Sequence, residues 1–203
     1  MPRILSLIMI MFCILSLVSL SAQEEDPDSP HIDSDWYDYY EPPYARGDRT
    51  FNISMGILIP AYFSGIDNNS HGLSIGGVGT LSYNYFLSSN IFLGAEISGS
   101  FSGTRGGNML YLIPFGARAG YQFYFRQIEI PISITIGAST QRYVNNDYFG
   151  LILKPGISAY YRYNMDWSFG LNTNWWVLPQ WPRNGNNVVG NFFELTLSAR
   201  YHF

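Results

Sequence analysis

The chain of 203 residues has a single cysteine and a single lysine, and charged residues make up only 13% of it. The cysteine, Cys13, lies in an N-terminal apolar run, so the remainder has no disulfide and no thiolate metal site. A soluble domain averages about 25% charged residues, so this chain has too few charges to cover a water-facing surface. It also has no basic patch of the kind that binds nucleic acid. After residue 22 no segment approaches the roughly 20 apolar residues of a membrane helix.

The N-terminal run has the pattern of a secretory signal peptide, predicted over residues 1–22. Arg3 precedes an apolar stretch from Ile4 to Leu20, and small residues follow it. A membrane anchor and a lipoprotein signal are the alternatives. The stretch is short for a span, and Phe12 is bulky where a lipoprotein signal has a small residue. Residues 23–49 are acidic and aperiodic, and we predict a flexible tail in the periplasm.

Apolar and polar side chains alternate from Thr50 to the last residue in about eight segments. In the clearest one, Ile128 to Ile136, isoleucine occupies every second position. A period of two puts the apolar side chains on one face of a strand. Outward aromatic residues fall near both ends of the segments, as in the girdles of a membrane barrel. The sequence therefore predicts an all-β fold, an eight-stranded antiparallel transmembrane up-and-down β-barrel over residues 50–203.

Tight and longer connections alternate along the chain, which is also typical of membrane barrels. Tight turns are predicted at 88–90, 126–127 and 164–166, and longer loops at about 62–72, 103–108, 143–147 and 178–188. Pro155 lies near mid-strand, where a missing N–H donor predicts a bulge. The alternative is a soluble sandwich or lipocalin-like barrel. Its outer face would be polar, whereas the polar positions here are mostly Ser, Gly, Thr and Asn, which carry no charge.

Parity points three acids and four bases into the barrel. Positions on adjacent strands predict the pairs Glu96 with Arg118 and Glu129 with Arg162. Lys154 and Glu194 share a level one strand apart and form the third predicted pair, and Arg200 is the seventh inward charge. Buried charges must pair because their desolvation is costly. We interpret the seven as a polar plug of the lumen. A charge relay or a gate for solutes is the alternative.

The half of the lumen nearer the longer loops is apolar by the same parity. The inward residues there are Leu58, Val78, Leu110, Leu112, Ile152, Trp176 and Phe192. An apolar cup above a charged floor could take up a hydrophobic ligand from outside. The other interpretation is that these side chains pack against one another and fill the space.

The last strand carries aromatic residues at Tyr201 and at the terminal Phe203. It resembles the closing strand of bacterial outer-membrane barrels, which the barrel-assembly machinery reads. Residues 50–203 as a whole resemble the small eight-stranded barrels of the OmpW, OmpX and OmpA type, and OmpW most. The resemblance implies a place among the lipids of the cell outer membrane. It also implies passive binding or passage of small hydrophobic molecules, gated by bulky apolar side chains such as Leu58 and Trp176.

Two other functions stay open at this stage. One is a plugged structural or surface-interaction barrel of adhesin-like kind. The other is a lipid-modifying barrel enzyme, because Asp67, Ser70 and His71 cluster in one loop. These residue types are also ordinary turn formers, so we predict no catalysis. We also predict no metal and no cofactor.

Overall fold

The computed structural model describes residues 44–64, 72–104, 107–143, 146–181 and 187–203. The predicted signal peptide, most of the predicted tail and the loop from Asp67 to His71 lie outside the described residues. Within the described ranges, no helix is long and apolar enough to cross a membrane.

Eight strands form a closed sheet in which each strand pairs with the next and the last pairs with the first. All eight pairings are antiparallel. The strands are β1 (Arg49–Ser64), β2 (Gly76–Phe86), β3 (Ile91–Gly103), β4 (Met109–Phe125), β5 (Ile128–Tyr143), β6 (Asn146–Arg162), β7 (Trp167–Gln180) and β8 (Val188–His202). The predicted eight-stranded antiparallel barrel is confirmed.

The alternating pattern produces the two faces of the wall. On β5 the side chains of Ile132, Ile134 and Ile136 are 40–58% exposed, whereas Glu129 and Thr135 are 1% and 4% exposed. A slip of one residue would put Glu129 on the outer face and the isoleucines inside. Burial of the polar face therefore fixes the register of the strand.

The outer wall is apolar on every strand, with exposed Ile, Leu, Met, Phe and Tyr side chains throughout. An exposed apolar surface of this extent is unstable in water and matches the lipid-facing band of a membrane barrel. Exposed aromatic residues line both ends of the wall. Those near the short turns include Tyr83, Tyr85, Tyr121, Phe123, Tyr161, Tyr163, Trp167, Tyr201 and Phe203, and those near the longer loops include Phe101, Tyr111 and Phe149.

One predicted longer loop is wrong. Only residues 144–145 separate β5 from β6, and Tyr143 pairs with Asn146 at the end of the ladder. The loop is predicted over residues 143–147, but β5 extends to Tyr143 and β6 begins at Asn146. An outward ion pair between Arg142 and Asp147 accompanies this extension.

The predicted bulge at Pro155 is also wrong. The β5–β6 register runs unshifted through Ile134 opposite Pro155. The β6–β7 ladder is interrupted at this proline and resumes in the same register at Gly156 opposite Asn174. The missing N–H donor of Pro155 therefore interrupts pairing between β6 and β7, but it does not insert an extra residue into β6. The register shift lies instead between Pro60 and Tyr62, where β1 pairs with β8.

Candidate functional site in the barrel lumen

Seven buried apolar side chains pack together in the half of the lumen nearer the longer loops, and we call them the apolar layer. They are Leu58, Val78, Leu112, Ile152, Trp176, Leu178 and Phe192, none more than 6% exposed. Leu73 and Leu110 are partly buried against them. All seven residues of the predicted apolar cup lie in or against this layer. Leu178 was missed because the predicted seventh strand ended at Val177, although parity with Trp176 could have found it.

Trp176 joins the apolar layer to the charges beneath it. The side chain is fully buried, and its Nε1 donates to Oε2 of Glu194 at 2.5 Å. The Lys154 ammonium lies 4.5 Å from the centre of the indole ring, within the range of a cation–π contact. The indole therefore covers the charged groups and hydrogen-bonds to one of them.

Below the indole, two acids and two bases from four strands form what we call the central ion network. Lys154 Nζ lies 2.5 Å from Glu96 Oε1 and 3.1 Å from Glu194 Oε2. Arg118 Nη1 lies 3.0 Å from the other oxygen of Glu96. These four side chains are only 1–7% exposed. Lys154 is thus shared between carboxylates on β3 and β8.

Small hydroxyl side chains surround the central ion network and complete its hydrogen bonds. Arg118 Nη2 donates to Ser133 Oγ at 2.9 Å, and Lys154 Nζ donates to Ser98 Oγ at 3.1 Å. Thr135 Oγ1 donates to Glu96 Oε2 at 3.3 Å. Such bonds offset part of the desolvation cost of the buried ions. This explains why the inward positions are rich in Ser and Thr.

A second group of charges, which we call the basal network, lies near the short turns and centres on Glu129. Arg162 Nε lies 2.7 Å from Glu129 Oε1, and Arg200 Nη1 lies 3.0 Å from Oε2. Gln122 Nε2 also donates to Oε2, at 2.7 Å. The Arg200 guanidinium lies 3.6 Å from the centre of the Tyr160 ring. Glu129 therefore receives donors from three directions.

The basal network has a member that sequence reasoning missed. Tyr44 precedes β1 and fell within the predicted tail, yet it is only 3% exposed. Its hydroxyl donates to Glu129 Oε2 at 2.9 Å, and its ring stacks on Phe86 with centroids 4.0 Å apart. Burial, with a smaller contribution from the nearby Glu129 charge, raises the pKa of the Tyr44 hydroxyl to about 12. The hydroxyl is therefore protonated, and can donate, at neutral pH.

Backbone hydrogen bonds fix the segment that carries Tyr44. The Gly47 amide donates to the Phe86 carbonyl, and the Phe86 amide donates to the Asp48 carbonyl, both at 2.9 Å. No periodicity marks residues 44–48, and a lone tyrosine before a strand is not a signal that sequence reasoning can use. The segment closes the barrel end at which the short turns lie.

We expect Tyr44→Ala to free this segment. The substitution removes the stacking on Phe86 and the hydrogen bond to Glu129. The free energy of local opening of this segment is therefore lower than in the native protein. Trypsin should then cut after Arg46 about tenfold faster in the folded barrel. Tyr44→Phe is the matched control, since it keeps the stacked ring and should retain most of the protection. Equal cleavage rates for the native protein and Tyr44→Ala would contradict a role for Tyr44 in holding the segment.

All three predicted ion pairs are present, namely Glu96 with Arg118 and Glu129 with Arg162 on adjacent strands, and Lys154 with Glu194 across one intervening strand. Two further pairs, Lys154 with Glu96 and Arg200 with Glu129, join strands that are not neighbours. Adjacency could not predict these two. Whether the seven charges act as a plug stays a prediction.

The predicted assembly signal lies on the outer wall. Tyr201 and Phe203 are 39% and 56% exposed, and their rings stack with centroids 5.8 Å apart. The Phe203 amide donates to the Arg49 carbonyl at 3.1 Å, so the chain end is part of the closing ladder. Within the part of the chain that the structure describes, no group of three or more His, Cys, Asp or Glu residues could hold a metal ion.

Comparisons with known sequences identify relatives in Treponema pallidum and Borreliella burgdorferi. A family model matches residues 28–201. An uncharacterized protein of Treponema pallidum (strain Nichols) is 34% identical over 144 residues, which cover 64% of this chain and 65% of that protein. An uncharacterized protein of Borreliella burgdorferi is 23% identical over 174 residues, 74% of this chain and 81% of the relative. The match therefore spans slightly less than two thirds of the Treponema protein.

Solved structures with the same fold come from other bacteria. Neisserial surface protein A is 13% identical, with a TM-score of 0.56 over 77% of this chain and 97% of its own. Ail, the attachment invasion locus protein of Yersinia pestis, is 9% identical, with a TM-score of 0.50 over 78% and 99%. At these identities the likeness is one of fold alone. The chain belongs to the uncharacterised protein family whose model matches residues 28–201, and its fold is that of the small eight-stranded outer-membrane barrels.

Proposed function

We propose that the protein is an outer-membrane barrel whose lumen stays closed and that it acts through its surface, as a structural or surface-interaction barrel. The observation that carries this proposal is the unbroken contact from Trp176 through Glu194 to Lys154. It links the apolar layer to the central ion network, and all three side chains are at most 2% exposed. Because Lys154 also contacts Glu96 on β3, these contacts reach across the lumen, which supports a closed barrel at that level.

The energy needed to open the lumen supports a closed state. Breaking a buried ion pair costs about 3–5 kcal/mol, because it leaves an unpaired charge in a dry site. Moving a side chain as large as Trp176 out of its packing costs about as much. An opening that does both costs about 6 kcal/mol or more, which corresponds to an open population on the order of 10⁻⁴ or below. Such a population gives little steady flux.

Location and assembly belong to the same proposal. The apolar wall and the fold shared with outer-membrane barrels support the outer membrane as its place. Tyr201 and Phe203 close the barrel on its outer face, where they could serve as the signal for the barrel-assembly machinery. Residues before β1 would then lie in the periplasm. The name of Ail refers to attachment and invasion. By analogy, the surface-interaction form of this proposal is that the outer loops of this barrel contact a partner.

Passage or binding of small hydrophobic molecules is the second candidate. The observation that favours it is the position of the apolar layer at the loop end, with partly buried Leu73 and Leu110 against it. A ligand that displaced these side chains would still meet the central ion network underneath. This candidate is therefore a cup that opens to the loop side, with passage only if the charges also move.

The experiment is a current recording on the refolded full chain in a planar phospholipid bilayer, before and after addition of micromolar 1-octanol. A closed barrel gives no steady current in either condition. Leu197→Ala, on the outer face where the native side chain is 70% exposed, is the control for handling of variants and should also be silent. A small steady current that octanol blocks saturably would contradict the closed barrel and favour the second candidate.

A further inference from the structure

The outer wall carries very few charges. Of the charged residues within the eight strands, only Arg49, Arg142 and Asp147 are exposed. Arg49 lies at the end of the barrel with the short turns, whereas Arg142 and Asp147 face each other across β5 and β6 near the other end. An arginine and an aspartate on an otherwise apolar lipid-facing wall need an explanation, because the bilayer core excludes charge.

The two residues form the rim of a hollow in the outer wall. Arg142 Nε lies 3.2 Å from Asp147 Oδ1, and the two side chains are 67% and 62% exposed. The hollow has a volume of about 390 Å³, and Tyr111, Ile113 and Thr140 line the rest of it. The ion pair uses Nε of Arg142, so the terminal nitrogens of the guanidinium can donate to a phosphate.

The register of three strands explains the shape of this hollow. Thr140 on β5 is small and lies between Ile113 on β4 and Phe149 on β6. Beside these positions on the same outer face, the rings of Phe115 and Phe149 approach with centroids 6.5 Å apart. The hollow, which we call the seat, thus has a charged edge at Arg142 and Asp147 and an apolar side at Tyr111 and Ile113.

The height of the seat matches the headgroup layer of a bilayer. A strand tilted by about 40° rises about 2.6 Å per residue along the barrel axis, so a hydrocarbon band about 25 Å tall holds about ten residues of β5. Starting at Ile128, that band ends near Ala138. Arg142 then lies about 10 Å beyond it, at the level of phosphate and ammonium groups.

We infer that this seat binds the headgroup of one zwitterionic phospholipid, with the phosphate at Arg142 and the ammonium at Asp147. The adjacent opposite charges of the protein match the adjacent opposite charges of such a headgroup. A purely anionic headgroup could also contact Arg142, but it would offer no cation to Asp147 and would be repelled by that carboxylate. The acyl chains would lie against the apolar wall below, where Ile113 and Phe149 are 49% and 66% exposed. The inference requires a bilayer around the barrel, but it does not depend on whether the lumen is closed.

Native mass spectrometry of the folded full chain in detergent, with palmitoyl-oleoyl-phosphatidylcholine added, tests this inference. The native protein should retain one phosphatidylcholine in preference to phosphatidylglycerol. Arg142→Gln should weaken this retention about tenfold, since it removes a charged hydrogen-bond donor to the phosphate. Arg46→Gln, an exposed arginine outside the strands, is the matched control and should leave retention unchanged. The heat-dependent gel shift of each variant verifies that the barrel is folded.

Further measurements distinguish binding of the headgroup from binding of the acyl chains alone. Asp147→Asn should abolish the preference for phosphatidylcholine over phosphatidylglycerol. Dioleoylglycerol, which lacks the headgroup, and glycerophosphocholine, which lacks the chains, should both be retained poorly. The inference is overturned by any of three results: equal retention by Arg142→Gln and the native protein, retention of either fragment as strong as that of phosphatidylcholine, or a native preference for phosphatidylglycerol.

Discussion

Lys154→Met should destabilise the barrel by about 3–5 kcal/mol, the usual cost of removing one partner from a buried ion pair. Lys154 lies between Glu96 and Glu194, at 2.5 Å and 3.1 Å, with its side chain only 1% exposed. Glu96 keeps Arg118 as a partner, but Glu194 is left with the neutral donors of Trp176 and Thr80. The cost therefore arises chiefly from the stranded charge of Glu194. Equilibrium urea unfolding of the barrel in phospholipid vesicles measures it.

Two variants make this measurement decisive. The double substitution Lys154→Met with Glu194→Gln removes the stranded charge and should recover at least about 2 kcal/mol of the loss. Arg142→Gln breaks an ion pair of the same chain whose two side chains are 67% and 62% exposed, and it should cost no more than about 1 kcal/mol. If Lys154→Met unfolds within about 1 kcal/mol of the native protein, burial of the network does not govern its energetics.

Trp176→Ala should be comparably severe, at about 3–5 kcal/mol, because truncation of a buried aromatic side chain leaves a cavity. Trp176 is fully buried at the centre of the apolar layer. Its removal also takes the Nε1 donor from Glu194, whose carboxylate lies 2.5 Å away. Urea unfolding gives the stability. The bilayer recording used for the native protein shows whether the space left by the indole admits ions.

Trp176→Phe separates packing from hydrogen bonding. It keeps most of the apolar volume and loses the N–H group, so it should cost about 1–3 kcal/mol, the penalty of an unsatisfied buried acceptor. A Trp176→Phe variant as unstable as Trp176→Ala would assign the whole effect to the hydrogen bond with Glu194. A Trp176→Ala variant that unfolds like the native protein would contradict a stabilising role of the apolar layer.

The sequence predicts much of this molecule because a strand has a period of two. Once one face is apolar, parity assigns each side chain to the membrane or to the lumen, and the inward burial of Glu129 and Leu58 follows without knowledge of the fold. The same reasoning predicts pairs between neighbouring strands, such as Glu96 with Arg118. It depends on the strand boundaries, which explains the omission of Leu178 beyond the predicted end of its strand.

The other features depend on distances across the lumen and on how single strands adapt locally. Neither of these follows a repeating pattern in the sequence. The contact between Lys154 and Glu96 joins β6 to β3, and only the tilt and closure of the barrel bring these strands to the same level. Pro155 could have forced a bulge or an interruption of the ladder, and its sequence context does not distinguish the two. Tyr44 lies outside any repeating pattern, so only its three-dimensional contacts reveal its role.

The position of Tyr44 also constrains the order of folding events. Its ring stacks on Phe86 of β2, and its hydroxyl contacts Glu129 of β5 and His202 of β8. These three strands meet around one point only after β8 has paired with β1, so the binding site for Tyr44 does not exist in an open sheet. The earliest described residue of the chain is thus among the last to reach its final position. Protection of the segment 44–48 therefore reports completed closure of the barrel.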